Sequence, residues 1–201
     1  MADTQSAPTG ETPDSSAPNS SGPAPPTRPP SPGRRPPQLA DWLASAGLVA
    51  LFVLGSFVER GTQAEVRLAG VVLLLSSLPF LFAPFATLKR HGRVPDGASY
   101  CDTTTVVDQG VYGVVRHPQY LGYGLLAAGF GCRLQNPLTT ALALAVLVLL
   151  YMQALREEGD LAERLEGYGD YARRVPRFNA PAGLFRYIVT KRRSPDDGGE
   201  A

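Results

Sequence analysis

The chain has 201 residues, of which 44% are hydrophobic, and it carries 19 Lys and Arg against 18 Asp and Glu. These averages resemble those of a soluble protein only because regions of unlike composition are combined. A net charge of +1 and the lack of a long basic run interleaved with aromatic residues argue against a nucleic-acid partner. Two widely separated cysteines and two histidines give poor support for zinc binding, so we predict no metal site.

The two ends of the chain are predicted to be disordered tails. Residues 1–38 hold 11 of the 19 prolines and contain no apolar cluster that would offset the entropy cost of ordering. They also lack the basic start, apolar centre and small-residue cleavage site of a secretory signal. Residues 191–201 are polar. The folded domain is therefore expected to span residues 39–190.

Four apolar stretches lie in this domain, at residues 42–58, 68–88, 120–134 and 138–155. A helix that crosses a membrane needs roughly 17 to 25 residues. The second and fourth stretches are long enough, the first is marginal, and the third is short unless it begins earlier. We predict an all-α integral membrane bundle of about four spanning helices, followed by an amphipathic C-terminal extension.

The distribution of Lys and Arg predicts the orientation of these helices. Basic residues concentrate between the second and third helices and again after the fourth, and positively charged connections tend to remain cytoplasmic. The turn at residues 135–137 is long enough only for a tight antiparallel hairpin. Residues 89–118 and the region after residue 155 should therefore lie together on the cytoplasmic face, with both termini, in the plasma (inner) membrane.

The most polar cluster in the domain directly precedes the third helix, in the stretch GVYGVVRHPQYLGYG at residues 110–124. His117 precedes a proline and is expected to be extended, while Pro118 suits the first turn of a helix because it has no amide proton to leave unpaired. The open amides of this helix start, with Arg116 beside them, attract a carboxylate or phosphate. The alternative is that Arg116 and His117 only contact lipid headgroups.

A pair of carboxylates follows the fourth apolar stretch. Leu161, Leu165 and Tyr168 continue the helix at amphipathic spacing, and Glu157 and Glu158 lie about one turn before Leu161. At least one carboxylate should therefore share the inward face of the helix and need a partner. Two acidic groups next to a basic helix start would suit a zwitterionic small molecule such as an amino-acid headgroup.

The segment after this helix has a simpler interpretation. Tyr168 and Tyr171 suit the anchoring of an amphipathic segment at the membrane surface. Arg173, Arg174 and Arg177 are predicted to contact lipid headgroups.

The ordered run of motifs from about residue 104 to residue 178 resembles the isoprenylcysteine carboxyl methyltransferase family of integral membrane enzymes. The run comprises VVDQGVYGVVRHPQYLGYG, then NPL, then REEGDLAERLEGYGDYARRVPRF. Several elements in a fixed order are far more specific than any one of them. The resemblance implies a helical membrane protein that binds S-adenosylmethionine in a cytosol-facing pocket and transfers its methyl group to a lipophilic acceptor.

The resemblance also implies roles for individual residues. The implied catalytic positions are Arg116, Glu157 and Arg156. Gln153 stands where many relatives have an arginine that handles the acceptor. The implied cofactor-binding residues are Thr104, Thr105, Val106, Val107, Tyr112, His117, Pro118, Gln119, Tyr120, Glu157 and Glu158.

The predicted function is S-adenosylmethionine-dependent methyl transfer to a small lipophilic or membrane-resident acceptor, through a carboxyl group or another oxygen, sulfur or nitrogen nucleophile. Such an acceptor is expected to enter sideways from the bilayer. Two alternatives stay open: a phospholipid-amine N-methyltransferase, and a non-catalytic membrane anchor or scaffold.

Overall fold

The computed structural model describes residues 38–58, 61–93 and 103–193. The predicted tails lie outside these residues, except for Gln38, which caps the first helix, and for the backbone of residues 191–193, which ends the last one. The described part of the chain is helical and contains no strand. Its helices are α1 (Leu39–Phe57), α2 (Ala64–His91), α3 (Pro118–Leu134), α4 (Pro137–Arg164), α5 (Tyr168–Arg174) and α6 (Ala180–Arg193), with a 3₁₀ turn at Gly110–Gly113 before α3.

The predicted all-α membrane bundle is confirmed, but within the described residues three helices rather than four are long and apolar enough to cross a membrane. These are α1, α2 and α4, with mean hydropathies of 1.7, 2.1 and 2.1. The helix α3 has 17 residues, or about 25 Å at 1.5 Å per residue, against a hydrocarbon core of roughly 30 Å. The helix begins at Pro118, two residues before the predicted apolar stretch, but these two residues do not make it long enough to span the hydrocarbon core.

The helices α2 and α3 pack backbone to backbone because glycines meet where they cross. A Cβ atom on Gly70 would lie 2.8 Å from the backbone oxygen of Gly129 and 2.8 Å from the backbone nitrogen of Arg133. A Cβ atom on Gly129 would lie 3.0 Å from the backbone oxygen of Gly70. All three of these contacts are with main-chain atoms, which cannot move aside. Two small residues thus fix how α3 lies on α2.

The helix α4 packs on both α1 and α3 around a small apolar core. Its members are Ala44 and Leu51 of α1, Ala127 of α3, and Ala143, Val146 and Leu150 of α4. The turn between α3 and α4 falls where it was predicted. Asn136 accepts a hydrogen bond from the Leu138 amide at 3.0 Å, and Pro137 occupies the first helical position.

The chain beyond α4 returns to the start of α3. Residues 175–178, here named the strap, run beside the residues that precede α3. The amide of Arg116 donates to the Pro176 carbonyl at 3.0 Å, and the amide of His117 donates to the Arg177 carbonyl at 3.4 Å. The end of α4, the helix α5 and the strap therefore enclose the beginning of α3.

Substitution of Gly70 by Ala tests the crossing of α2 and α3. We expect a loss of about 1 to 3 kcal/mol of stability, because the added methyl group overlaps backbone atoms of α3. A matched control is Gly159→Ala in α4, where an added Cβ meets nothing within 4 Å and helix propensity favours alanine. Thermal unfolding in detergent should separate the two variants, and equal midpoints would contradict the crossing.

Candidate functional site

A cavity of about 280 Å³ lies where α3 begins and α4 ends. Its volume is near the lower end of the roughly 300 to 1,000 Å³ typical of small-molecule pockets. Its walls combine apolar side chains, tyrosines and three ionisable groups of mixed sign. The lining residues are Leu88, Thr103, Thr105, Val106, Val107, Tyr112, Arg116, His117, Pro118, Gln119, Tyr120, Tyr123, Glu157, Leu161, Leu165, Tyr168 and Tyr171.

Most residues that the resemblance assigned to cofactor binding line this cavity, but Thr104 and Glu158 do not. Thr104 is exposed, and its hydroxyl donates to the Arg93 carbonyl at 3.0 Å. Among the implied catalytic residues, Arg116 and Glu157 line the cavity, whereas Arg156 lies outside it. The Arg156 guanidinium instead donates to the Gln38 side chain and to the Met152 carbonyl. The structure therefore brings Arg116 and Glu157 together and leaves Arg156 apart.

The local sequence explains the position of His117. The residue before a proline is disfavoured in helical conformation, and His117 has φ −120° and ψ 65° as the residue that precedes α3. The residue is only 6% exposed. Its imidazole stacks on the Tyr120 ring, with centroids 5.6 Å apart, and the Phe178 ring of the strap lies 6.0 Å away. Packing on two sides thus holds the imidazole at the cavity wall.

Glu158 is the centre of a cluster of hydrogen bonds and ion pairs beside the cavity. Arg177 binds its carboxylate with two parallel hydrogen bonds, Nε to Oε1 at 2.8 Å and Nη2 to Oε2 at 2.7 Å. The same Oε1 lies 3.0 Å from Nε2 of His117 and 3.2 Å from Nη1 of Arg116. The Glu158 side chain is 13% exposed. Its carboxylate is therefore fully occupied by protein groups.

The neighbouring Glu157 has a different environment. Its side chain is 33% exposed and lines the cavity, and its carboxylate approaches Nδ1 of His117 only to 3.8 Å. That separation exceeds an ordinary hydrogen bond. Of the two adjacent carboxylates, Glu157 is the one placed to meet a ligand.

Arg177 does not follow the prediction that it contacts lipid headgroups. Its side chain is 26% exposed, and the hydrogen bonds to Glu158 raise its pKa above the ordinary arginine value. Arg173 and Arg174 remain exposed, with side chains 79% and 63% accessible. The sequence did contain a signal for Arg177, because this residue ends the Val-Pro-Arg stretch within the run of motifs that carries the family resemblance. Helix periodicity could not reveal it, because the residue follows α5 in a non-helical strap.

Two tyrosines of α5 close the cavity, although the sequence favoured surface anchoring for both. Tyr168 and Tyr171 are 4% and 3% exposed. The Tyr171 hydroxyl donates to the Tyr112 carbonyl at 2.9 Å. Within the part of the chain that the structure describes, the buried Tyr168 hydroxyl and the buried Nε of Arg116 have no hydrogen-bond partner of good geometry. Such buried polar atoms ordinarily find a partner, and both of these belong to residues that line the cavity.

Burial also changes the acidity of these phenols. It raises the pKa of Tyr168 to about 12, because the phenolate would lose solvation and would be repelled by Glu158. The pKa of Tyr171 is raised as well, again chiefly by burial. Both side chains are therefore neutral at physiological pH, and the Tyr168 hydroxyl is available as a hydrogen-bond donor.

The sequence profile described as phospholipid methyltransferase matches residues 66–167. The chain belongs to this family. The family falls within the group of membrane methyltransferases that resemble isoprenylcysteine carboxyl methyltransferase, so the group predicted from the sequence is confirmed. The match begins in α2 and ends just before α5. The helix α1, the closing tyrosines and the strap therefore lie outside the matched region.

Two curated relatives are similar to part of the chain. The nickel-cobalt-cadmium resistance protein NccN of Alcaligenes xylosoxydans xylosoxydans is 32% identical over 85 residues, 42% of this chain and 40% of the relative. The cobalt-zinc-cadmium resistance protein CzcN of Cupriavidus metallidurans is 32% identical over 83 residues, 41% of this chain and 38% of the relative. The matched segment thus spans about two fifths of each relative. No solved structure matches the chain.

Both relatives are named for resistance to metals, and a metal site would need a cluster of ligating side chains. In residues 38–58, 61–93 and 103–193, no group of three or more His, Cys, Asp or Glu residues is placed to hold a metal ion.

The raised pKa of Tyr168 predicts an effect on stability at alkaline pH. An unfolded tyrosine loses its proton near pH 10, whereas folded Tyr168 keeps it until about pH 12. Between these values the folded state binds more protons than the unfolded state, so the free energy of unfolding falls as pH rises. Tyr168→Phe should reduce this fall. Denaturant unfolding from pH 9 to pH 12 measures how the free energy of unfolding of each protein changes with pH. Identical slopes for Tyr168→Phe and the unmodified protein would contradict the raised pKa of Tyr168.

Proposed function

We propose that this protein is an S-adenosylmethionine-dependent methyltransferase that acts on a lipophilic or membrane-resident acceptor. The observation that carries the proposal is the set of charged and aromatic side chains around one cavity. Arg116 and Glu157 bring charges of opposite sign to its wall, and Tyr112, Tyr120 and Tyr168 add aromatic rings. A zwitterion with an aromatic base is a ligand that this set would suit.

Each chemical part of S-adenosylmethionine has a counterpart in the wall. The amides at the start of α3 and the Arg116 guanidinium favour the carboxylate. Glu157 favours the ammonium group, and the tyrosines offer stacking faces for adenine. When bound, the cofactor supplies an electrophilic methyl group on a sulfonium centre. The protein then has to position the acceptor and exclude water, which together provide much of the rate of such a displacement.

A second and more apolar cavity supports an acceptor that comes from the bilayer. It has a volume of about 810 Å³ and lies between α1, α3 and α4. Its lining includes Val49 and Phe52, which are 62% and 67% exposed on the outer surface of α1. Gln153, at the place where many relatives have an acceptor-handling arginine, also lines it and donates to the Ala40 carbonyl at 3.0 Å.

The two cavities share part of their walls. Tyr120 and Tyr123 line both of them, and the Tyr123 hydroxyl accepts a hydrogen bond from Gln119 at 3.2 Å. An apolar tail in the larger cavity would direct a nucleophilic headgroup past these tyrosines toward the smaller one. We place the smaller cavity at the cytoplasmic face of the plasma (inner) membrane, on the strength of the basic residues around residues 89–118 and after residue 155.

The second candidate is a phospholipid-amine N-methyltransferase, favoured by the description of the matching family. An amine acceptor has to lose a proton, whereas a carboxylate is already nucleophilic. Incubation of membrane extracts with labelled cofactor distinguishes them, because label in phosphatidylethanolamine would identify the amine reaction. Label in a carboxyl methyl ester would identify methyl transfer to a carboxylate acceptor.

Substitution of Glu157 by Gln tests the cofactor site. Loss of a charged hydrogen bond costs about 1.5 to 3 kcal/mol, so the affinity for S-adenosylhomocysteine should fall roughly 10-fold to 100-fold. Glu163→Gln makes the same change at an exposed position of α4 outside the cavity and should leave affinity unchanged. Calorimetry on protein in lipid nanodiscs measures the affinity of both variants for S-adenosylhomocysteine. Absence of saturable binding by the unmodified protein would refute the proposed function.

Substitution of Val49 by Trp tests the acceptor cavity separately from the cofactor. The larger side chain fills space between α1 and α3, so methyl transfer to a lipophilic acceptor should fall while affinity for S-adenosylhomocysteine stays the same. Val53→Trp is a matched control, since Val53 is 48% exposed on α1 but does not line the cavity. Equal activity in the two variants would exclude the α1 side as the acceptor route.

A further inference from the structure

The cluster around Glu158 lies behind the cavity rather than in its wall. Neither Glu158 nor Arg177 lines the cavity, yet Arg116 and His117, which do, both contact Glu158 Oε1. The Glu158 carboxylate thus contacts two residues of the cavity wall from behind. It restrains the Arg116 guanidinium and, together with packing on Tyr120 and Phe178, the His117 imidazole.

Arg177 determines the orientation of this carboxylate. Its guanidinium binds both oxygens of Glu158 at 2.8 and 2.7 Å, a paired geometry that fixes the plane of the carboxylate as well as its distance. The Arg177 side chain also contacts Tyr151, whose ring centroid lies 5.6 Å from Cζ and whose hydroxyl accepts from Nη1 at 3.3 Å. The strap backbone adds the bond from the His117 amide to the Arg177 carbonyl.

We propose that Arg177 is a positioning residue for the methyltransferase site, acting through Glu158 on His117 and Arg116. This inference rests on the proposed function for its effect on the cofactor, but the contacts themselves do not depend on it. Arg177 lies ten residues beyond the region that matches the family, at 66–167. The strap therefore completes a site whose cavity-facing groups belong mainly to the matched region.

Substitution of Arg177 by Gln should weaken binding of S-adenosylhomocysteine by about 10-fold to 100-fold, by analogy with the range found where the outer partner of a metal-binding side chain is removed. Arg177→Lys keeps the charge but loses the paired geometry, so its affinity should lie between those of Arg177→Gln and the unmodified protein. Arg173→Gln removes an equal charge from a 79% exposed side chain that pairs with Asp170 and should have no effect. Calorimetry also reports the binding stoichiometry, which separates a changed affinity from a loss of folded protein.

A double-mutant cycle tests whether the effect passes through Glu158. In a Glu158→Gln background, adding Arg177→Gln should cause a much smaller further loss of affinity than Arg177→Gln causes alone. Fully additive losses would overturn the proposal, because they would mean that Arg177 acts on the cofactor by another route.

A spectroscopic measurement tests the positioning without any cofactor. The chain has two histidines, so protein labelled with ¹⁵N-histidine gives ring signals only from His91 and His117. Arg177→Gln should shift the ring nitrogens of His117, whose Nε2 lies 3.0 Å from Glu158, and leave those of His91 unchanged. Unchanged His117 signals would overturn the proposal. Failure of the unmodified protein to bind S-adenosylhomocysteine would instead refute the proposed function, while the ring signals still decide the role of Arg177.

Discussion

The arrangement of the site depends on one partly buried carboxylate that is shared by three basic side chains. Glu158 contacts Arg116, His117 and Arg177, which come from the segment before α3 and from the strap after α5. Removing a carboxylate from water is costly, and paired hydrogen bonds from a guanidinium are among the strongest compensations available. Because the partners are distant in sequence, these polar contacts join the segment before α3 to the strap.

Backbone hydrogen bonds around this cluster also join the segment before α3 to the strap. The amides of Arg116 and His117 have no helical partner because they precede α3, and the strap carbonyls accept from both. The Phe178 ring of the strap and the Tyr120 ring of α3 also pack against the imidazole. Charge, hydrogen bonding and aromatic packing therefore hold the same wall of the cavity.

Much of the fold and part of the site could be predicted from the sequence. Length and hydropathy were sufficient to identify α1, α2 and α4, since an apolar run of that length is typical of a helix that crosses a membrane. The preference of Pro118 for a first helical turn gave the start of α3. Spacing also placed at least one of Glu157 and Glu158 inward, but it could not decide which one faces the cavity. That choice depends on Arg177, whose position is set by tertiary contacts rather than by periodicity.

The shared wall of the two cavities has a consequence for ligand design. Tyr120 and Tyr123 line both a polar compartment and an apolar one, so the two compartments adjoin at these aromatic side chains. On the proposed function, a bisubstrate inhibitor with a nucleoside head joined to a single alkyl chain by a short linker would occupy both compartments at once. Tethering converts the second binding event into an intramolecular one, so its avidity would exceed that of either fragment, and linker length would report the distance between the compartments.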